Sequence, residues 1–125
     1  MTRMICKAYW LLICAEFLLG RDDFAAIHAL VRKRAVRSLR PDARLALTAF
    51  VSAVTLACVF YPKRVLCLQR SAVTTMLLRS GGWPAEMVIG VQSLPFQAHA
   101  WVELHGTVVG DKSYVPEIYQ ELERC

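Results

Sequence analysis

Residues Leu66–Val91 read LCLQRSAVTTMLLRSGGWPAEMVIGV, and the change of pattern inside them decides the fold class. The first part reads as a helix from about Leu66 to Arg79. Gly81 and Gly82 end it, one of them in the left-handed cap conformation that glycine adopts without steric cost. Beyond Pro84 the texture changes. Ala85–Val91 is a short apolar run bounded by Pro84 and Gln92-Ser93, and it reads as a strand. Downstream, Phe96–Leu104 is rich in aromatic and β-branched residues, and Thr107–Asp111 has the same character. Between them Leu104-His105-Gly106 reads as a hairpin turn.

Upstream the chain reads as helix throughout. Met4–Leu19 has mixed amphipathicity. Phe24, Ile27, Leu30 and Val31 recur at helical spacing in a second helix expected from Phe24 to Leu39, which Asp22 or Asp23 can cap and which ends among arginines. A third helix is expected over Ala43–Val59, opened by Pro41 and stopped by Pro62. Helices first and strands after is the α+β order. The expected architecture is a helical N-terminal half, 1–62, packed on a small antiparallel sheet in a second half, 63–125, within one domain of 125 residues.

Charge divides along the same line. Residues 1–66 hold eleven Lys/Arg against four Asp/Glu, whereas residues 67–125 hold four against six, within a net charge of +5. A basic first half attracts acidic peptides, nucleic acid or anionic lipid without choosing among them. Single-stranded nucleic acid binding would call for aromatic residues among the arginines, and Val31–Leu45 has none. The hydrophobic content of 56% exceeds the globular norm of about 45–50%, which points to a partner protein or peripheral membrane contact. Leu45–Tyr61 is uncharged but shorter than the roughly 20 residues of a bilayer span, so it reads as a buried helix. The five cysteines Cys6, Cys14, Cys58, Cys67 and Cys125 are odd in number and contain no CxxC pair. That argues against a disulfide framework or a structural zinc site and suits a reducing cytoplasm.

Three residues can act together. Cys67 falls at the expected N-terminus of the fourth helix, where unpaired N–H groups and the helix dipole favour negative charge, a setting suited to a thiolate. Cys6, Cys14 and Cys58 lie inside apolar helical runs, where burial is expected instead. The alternative for Cys67 is a buried cysteine at a helix start. A three-residue turn at Leu104-His105-Gly106 puts His99 directly opposite Asp111, on the same side of the ribbon. A carboxylate there orients the imidazole and stabilises its protonated form. A two-residue turn would put Lys112 opposite His99 instead. A cross-strand surface pair is the alternative for His99 and Asp111. His28 and His105 read as structural or solvated.

Cys67-Leu68-Gln69-Arg70-Ser71, Leu77-Leu78-Arg79-Ser80-Gly81-Gly82, Val88-Ile89-Gly90-Val91, Phe96-Gln97-Ala98-His99-Ala100-Trp101-Val102-Glu103 and Gly106-Thr107-Val108-Val109-Gly110-Asp111 together resemble the lasso-peptide leader peptidases, the transglutaminase-like B proteins of lasso-peptide biosynthesis. The resemblance implies a transglutaminase/papain-like core in which Cys67 is the nucleophile, His99 the base and Asp111 the orienting acid. It implies a cytoplasmic cysteine peptidase without a cofactor that cuts leader from core in a ribosomal precursor, before an ATP-dependent cyclase closes the ring. It also implies a stand-alone form working with a separate leader-binding protein, with Arg32–Arg44 as one docking segment. Two other readings compete. One is acyl transfer by the same triad; the other is a non-enzymatic binding protein.

Overall fold

In the computed structural model, which describes residues 2–19, 24–36, 47–62, 64–93 and 95–125, the helix read from Leu66 begins at Cys67. This element, α4 (Cys67–Ser80), is enclosed on nearly every side: Ala72, Val73, Met76, Leu77 and Leu78 are all at most 1% exposed. A helix buried all round must satisfy its own polar groups, and this one does. Thr74 and Thr75 donate their hydroxyls to the carbonyls of Arg70 and Ser71, four residues back, at 2.7 and 2.8 Å. Ser71 donates across to the sheet, to the Ala100 carbonyl at 2.9 Å. The C-terminus closes as a Schellman turn. Gly82 takes φ +88, its N–H reaches the Arg79 carbonyl, and the Trp83 N–H reaches that of Leu78.

Three helices precede α4: α1 (Thr2–Leu19), α2 (Phe24–Lys33) and α3 (Leu47–Phe60). Ala8, Leu11 and Leu12 of α1, Ile27 and Val31 of α2, and Phe50, Ala53 and Val54 of α3 share one buried cluster with α4 and the inner face of the sheet. Among the described residues no helix is long and apolar enough to cross a membrane. The second helix is shorter than its pattern suggests, because residues 34–36 are not helical; 37–39 lie outside the described residues, as do the caps Asp22 and Asp23, Pro41 and the expected start of α3 at Ala43. Arg79 supplies a reason. Its buried guanidinium donates to the carbonyls of Val31 at 2.7 Å, Arg34 at 3.2 Å and Ala85 at 2.9 Å, so the Val31 carbonyl in the last turn of α2 and the Arg34 carbonyl just beyond it are capped from α4 rather than by another turn of helix.

The strands β1 (Glu86–Ser93), β2 (Phe96–Leu104), β3 (Thr107–Val109) and β4 (Gln120–Arg124) form an antiparallel sheet in the order β3-β2-β1-β4, with a short helix, α5 (Val115–Ile118), before the last strand. The fold is thus α+β, helices layered on a small antiparallel sheet. β4 and α5 had no sequence signal: Gln120–Arg124 is polar and charged apart from Leu122, and it is a strand because it hydrogen-bonds to β1. Side chains alternate across β2. Ala100 and Val102 face the helices, while Trp101 packs with Val88 and Val115 on the outer face.

The hairpin register differs from the expected one. Leu104 pairs with Thr107 and Glu103 with Val108, so the turn has two residues. His105 and Gly106 both take positive φ, 51° and 78°, the hand that matches the twist of the flanking strands. The three-residue closure, with Glu103 opposite Thr107, is therefore incorrect.

Replacing Arg79 by Met should remove the guanidinium from three carbonyls, of which Val31 keeps the Arg34 N–H. The expected loss is on the order of 3 kcal/mol, read as a lower urea midpoint with an unchanged slope.

Candidate active site

β3 ends at Val109, and its three residues pair only with Val102–Leu104. Among the described residues, the preceding part of β2 therefore has β1 on one side and no strand on the other. A cleft of about 260 Å³ opens there, between this edge of β2 and the first turn of α4. Cys67, Arg70 and Ser71 line it from α4; His99 and Trp101 line it from β2; Asp111 lines it from beyond β3.

His99 and Asp111 meet although the ladder does not pair them. Gly110 takes φ +74, which carries the chain out of the β3 ladder, and Asp111 Oδ2 comes within 2.7 Å of His99 Nε2. The other carboxylate oxygen accepts the backbone N–H of Lys112 at 2.7 Å, which holds the carboxylate in place. A glycine and a local turn thus achieve what strand register would not.

Two rings lie against the imidazole. Trp101 lies nearly parallel at 6.1 Å between centroids, and Tyr119 at 5.3 Å. Trp101 is 2% exposed and donates its indole N–H to Glu103 at 2.8 Å. Glu103 is itself buried and is balanced by Arg124, whose guanidinium lies 3.3 Å away and also pairs with Glu121. His99, Trp101 and Glu103 stand at alternate positions on one face of β2, so the chain of contacts runs along the strand. Opposite His99 in β1 is Gly90. A Cβ there would come within 2.7 Å of the Trp101 ring and 2.9 Å of the Tyr119 Cβ; the indole and the start of the Tyr119 side chain both need its absence.

Cys67 is exposed at the start of α4. The helix start is set by Gln69, a side chain 1% exposed. Its carbonyl oxygen accepts the Leu66 N–H at 3.1 Å, and its amide donates to Glu16 of α1 at 2.7 Å. The other cysteines are placed differently. Burial pushes the Cys58 thiol up, against a weaker opposing pull from Arg70. Burial likewise pushes up Cys125. Cys6 is exposed rather than buried, and Cys14 is half-buried. His28 lies outside the cleft, 3.2 Å from Glu123 of β4, and His105 is the turn residue already described. Among the described residues no group of three or more His, Cys, Asp or Glu could hold a metal ion.

A profile described as the transglutaminase-like superfamily matches residues 9–124. The chain belongs to the transglutaminase-like superfamily. Within this superfamily member, a stretch of 45 residues is 42% identical to the microcin J25-processing protein McjB of Escherichia coli, covering 36% of the chain and 22% of that relative. No solved structure matches it.

Tyr119 and Gly90 were not legible as site residues, because each matters only through what the sheet places beside it. The one available signal was Gly90 interrupting a strand pattern, which often marks a close approach. Gly90→Ala should displace the Trp101 ring and push back the Tyr119 Cβ. We expect a loss of about 1–3 kcal/mol in thermal unfolding, together with a shifted Trp emission spectrum in the folded state.

Proposed function

We propose that this protein is a cysteine peptidase that cuts the leader from a ribosomal lasso-peptide precursor, with Cys67 as nucleophile, His99 as acid and base, and Asp111 as the orienting carboxylate. The observation that carries this reading is the 2.7 Å His99–Asp111 contact in the same cleft as an exposed cysteine at a helix start. The 45-residue similarity to a protein named for processing a microcin supports the substrate class.

In the proposed reaction the Cys67 thiol gives its proton to His99, its sulfur attacks the carbonyl carbon of the last leader residue, and the carbonyl oxygen takes up negative charge. The N–H groups in the first turn of α4 are donors suited to that oxygen. As the tetrahedral species collapses, the C–N bond breaks, and His99 gives a proton to the departing amine of the core. Water then attacks the thioester, His99 accepts its proton, and the leader leaves as a carboxylate with the thiol restored. Asp111 holds the imidazole through Nε2, which leaves Nδ1 as the nitrogen to exchange protons. Trp101 and Tyr119 cover the ring and limit its rotation. Exposed Trp10 and Ile13 on α1 support docking of a separate leader-binding protein.

The superfamily match also favours a second reading, transfer of the acyl group to an amine instead of water. One assay separates the two. A lasso-peptide precursor incubated with the enzyme, its leader-binding partner and a primary amine should yield free leader carboxylate by mass spectrometry; a leader–amine amide as the main product would favour transfer. Cys67→Ala and Cys67→Ser should abolish release with the circular dichroism spectrum unchanged, while Cys58→Ala should retain it. Asp111→Asn should lower kcat by roughly two to four orders of magnitude.

A further inference from the structure

Arg70 stands three residues after Cys67 on α4, so the two side chains leave the helix on one face, with about 5–6 Å between their Cβ atoms. It lines the same cleft. Its guanidinium donates to the Thr55 hydroxyl of α3 at 3.0 Å, and that hydroxyl in turn donates to the Val51 carbonyl at 2.9 Å. Among the described residues no carboxylate lies within ion-pair distance of it. Apart from Arg70, the only Asp, Glu, Lys or Arg among the residues lining the cleft is Asp111, whose oxygens are engaged by His99 and by the Lys112 N–H. A half-buried guanidinium anchored at one end and facing a cleft, with its charge unmatched, is arranged to receive a carboxylate from outside. Its planar donor fork suits one.

We infer that Arg70 forms a carboxylate subsite beside Cys67, and that the peptide accepted there carries an acidic side chain within a few residues of the bond that is cut. The subsite is a specificity determinant and takes no part in bond breaking. This deepens the peptidase reading and rests on it for the identity of the ligand, although the anion site itself can be tested without any cleavage.

The test has two arms. In the first, the rates at which iodoacetate and the uncharged iodoacetamide alkylate Cys67 are measured by peptide mass spectrometry, with exposed Cys6, outside the cleft, as the internal reference. Arg70→Gln should lower the iodoacetate-to-iodoacetamide ratio at Cys67 by about three- to tenfold, the effect of one unit charge at this separation in a solvated cleft, and leave the ratio at Cys6 unchanged. Taking the ratio cancels any effect of the substitution on thiol ionisation. Arg70→Lys, which keeps the charge, should hold most of the preference. An unchanged ratio in Arg70→Gln, or an equal loss in Arg70→Lys, would overturn the proposal. In the second arm a randomised decapeptide pool is digested, and Asp and Glu should be enriched near the sites cut by the native enzyme and not near those cut by Arg70→Gln. A variant that slows every cleavage equally, acidic or not, would assign Arg70 to the chemistry and defeat the subsite. Should the native enzyme cut neither this pool nor a full precursor supplied with its leader-binding protein, the peptidase reading fails while the alkylation ratio still decides on Arg70.

Discussion

The Ser71 hydroxyl gives its hydrogen bond to the carbonyl of Ala100, one residue beyond His99, and this contact ties the helix that carries Cys67 to the strand that carries the imidazole. It is buried, so water does not compete for it, and an unmade bond there would leave two polar groups stranded at a cost of about 1–3 kcal/mol each. The rest of α4 is held with similar rigour. Arg79 fastens its far end to α2 and to the start of β1, and Gln69 fastens its near end to Glu16 of α1. A helix tied at both ends and at its middle has little freedom to slide. For the proposed pairing of Cys67 with His99 that matters, because a shift of even 1 Å between a nucleophile and its base loses much of the advantage of holding them together.

The outer face of the sheet does a second job. His99, Trp101 and Glu103 occupy alternate positions along β2, and Tyr119 and Arg124 reach them from the C-terminal segment. The imidazole is therefore stacked rather than free to swing, and the buried Glu103 that anchors the indole is neutralised by an arginine instead of being left as an unpaired charge. Gly90 leaves the space into which the Trp101 ring and the Tyr119 Cβ fit. These contacts make the last residues of the chain part of the site, which agrees with a superfamily match that extends to residue 124.

On the peptidase proposal, the placement of charge would govern how the cleft chooses among peptides. Asp111 is spent on the imidazole and on a backbone N–H, so it repels an incoming acid less than a free carboxylate would. Arg70 is held at one point and faces the opening. The basic first half of the chain adds a long-range field of the same sign.

The sequence by itself determined the fold class and the three candidate residues. Helical and strand periodicities change over between Gly82 and Glu86, and Cys67 at a helix start with His99 and Asp111 around one hairpin was readable from type and spacing. Local chemistry sufficed there, since helix starts, glycine stops and apolar periodicity act over a few residues. The tertiary structure alone decided how those residues meet. The turn has two residues rather than three, and Gly110 brings Asp111 to His99 from outside the ladder. It also decided that the polar run Gln120–Arg124 is a strand, that α2 stops where Arg79 takes its carbonyls, and that Tyr119 lies on the imidazole. Each of these depends on a partner distant in sequence, and a hydrogen bond or ring contact made across the fold leaves no mark on the residues that flank it in the chain.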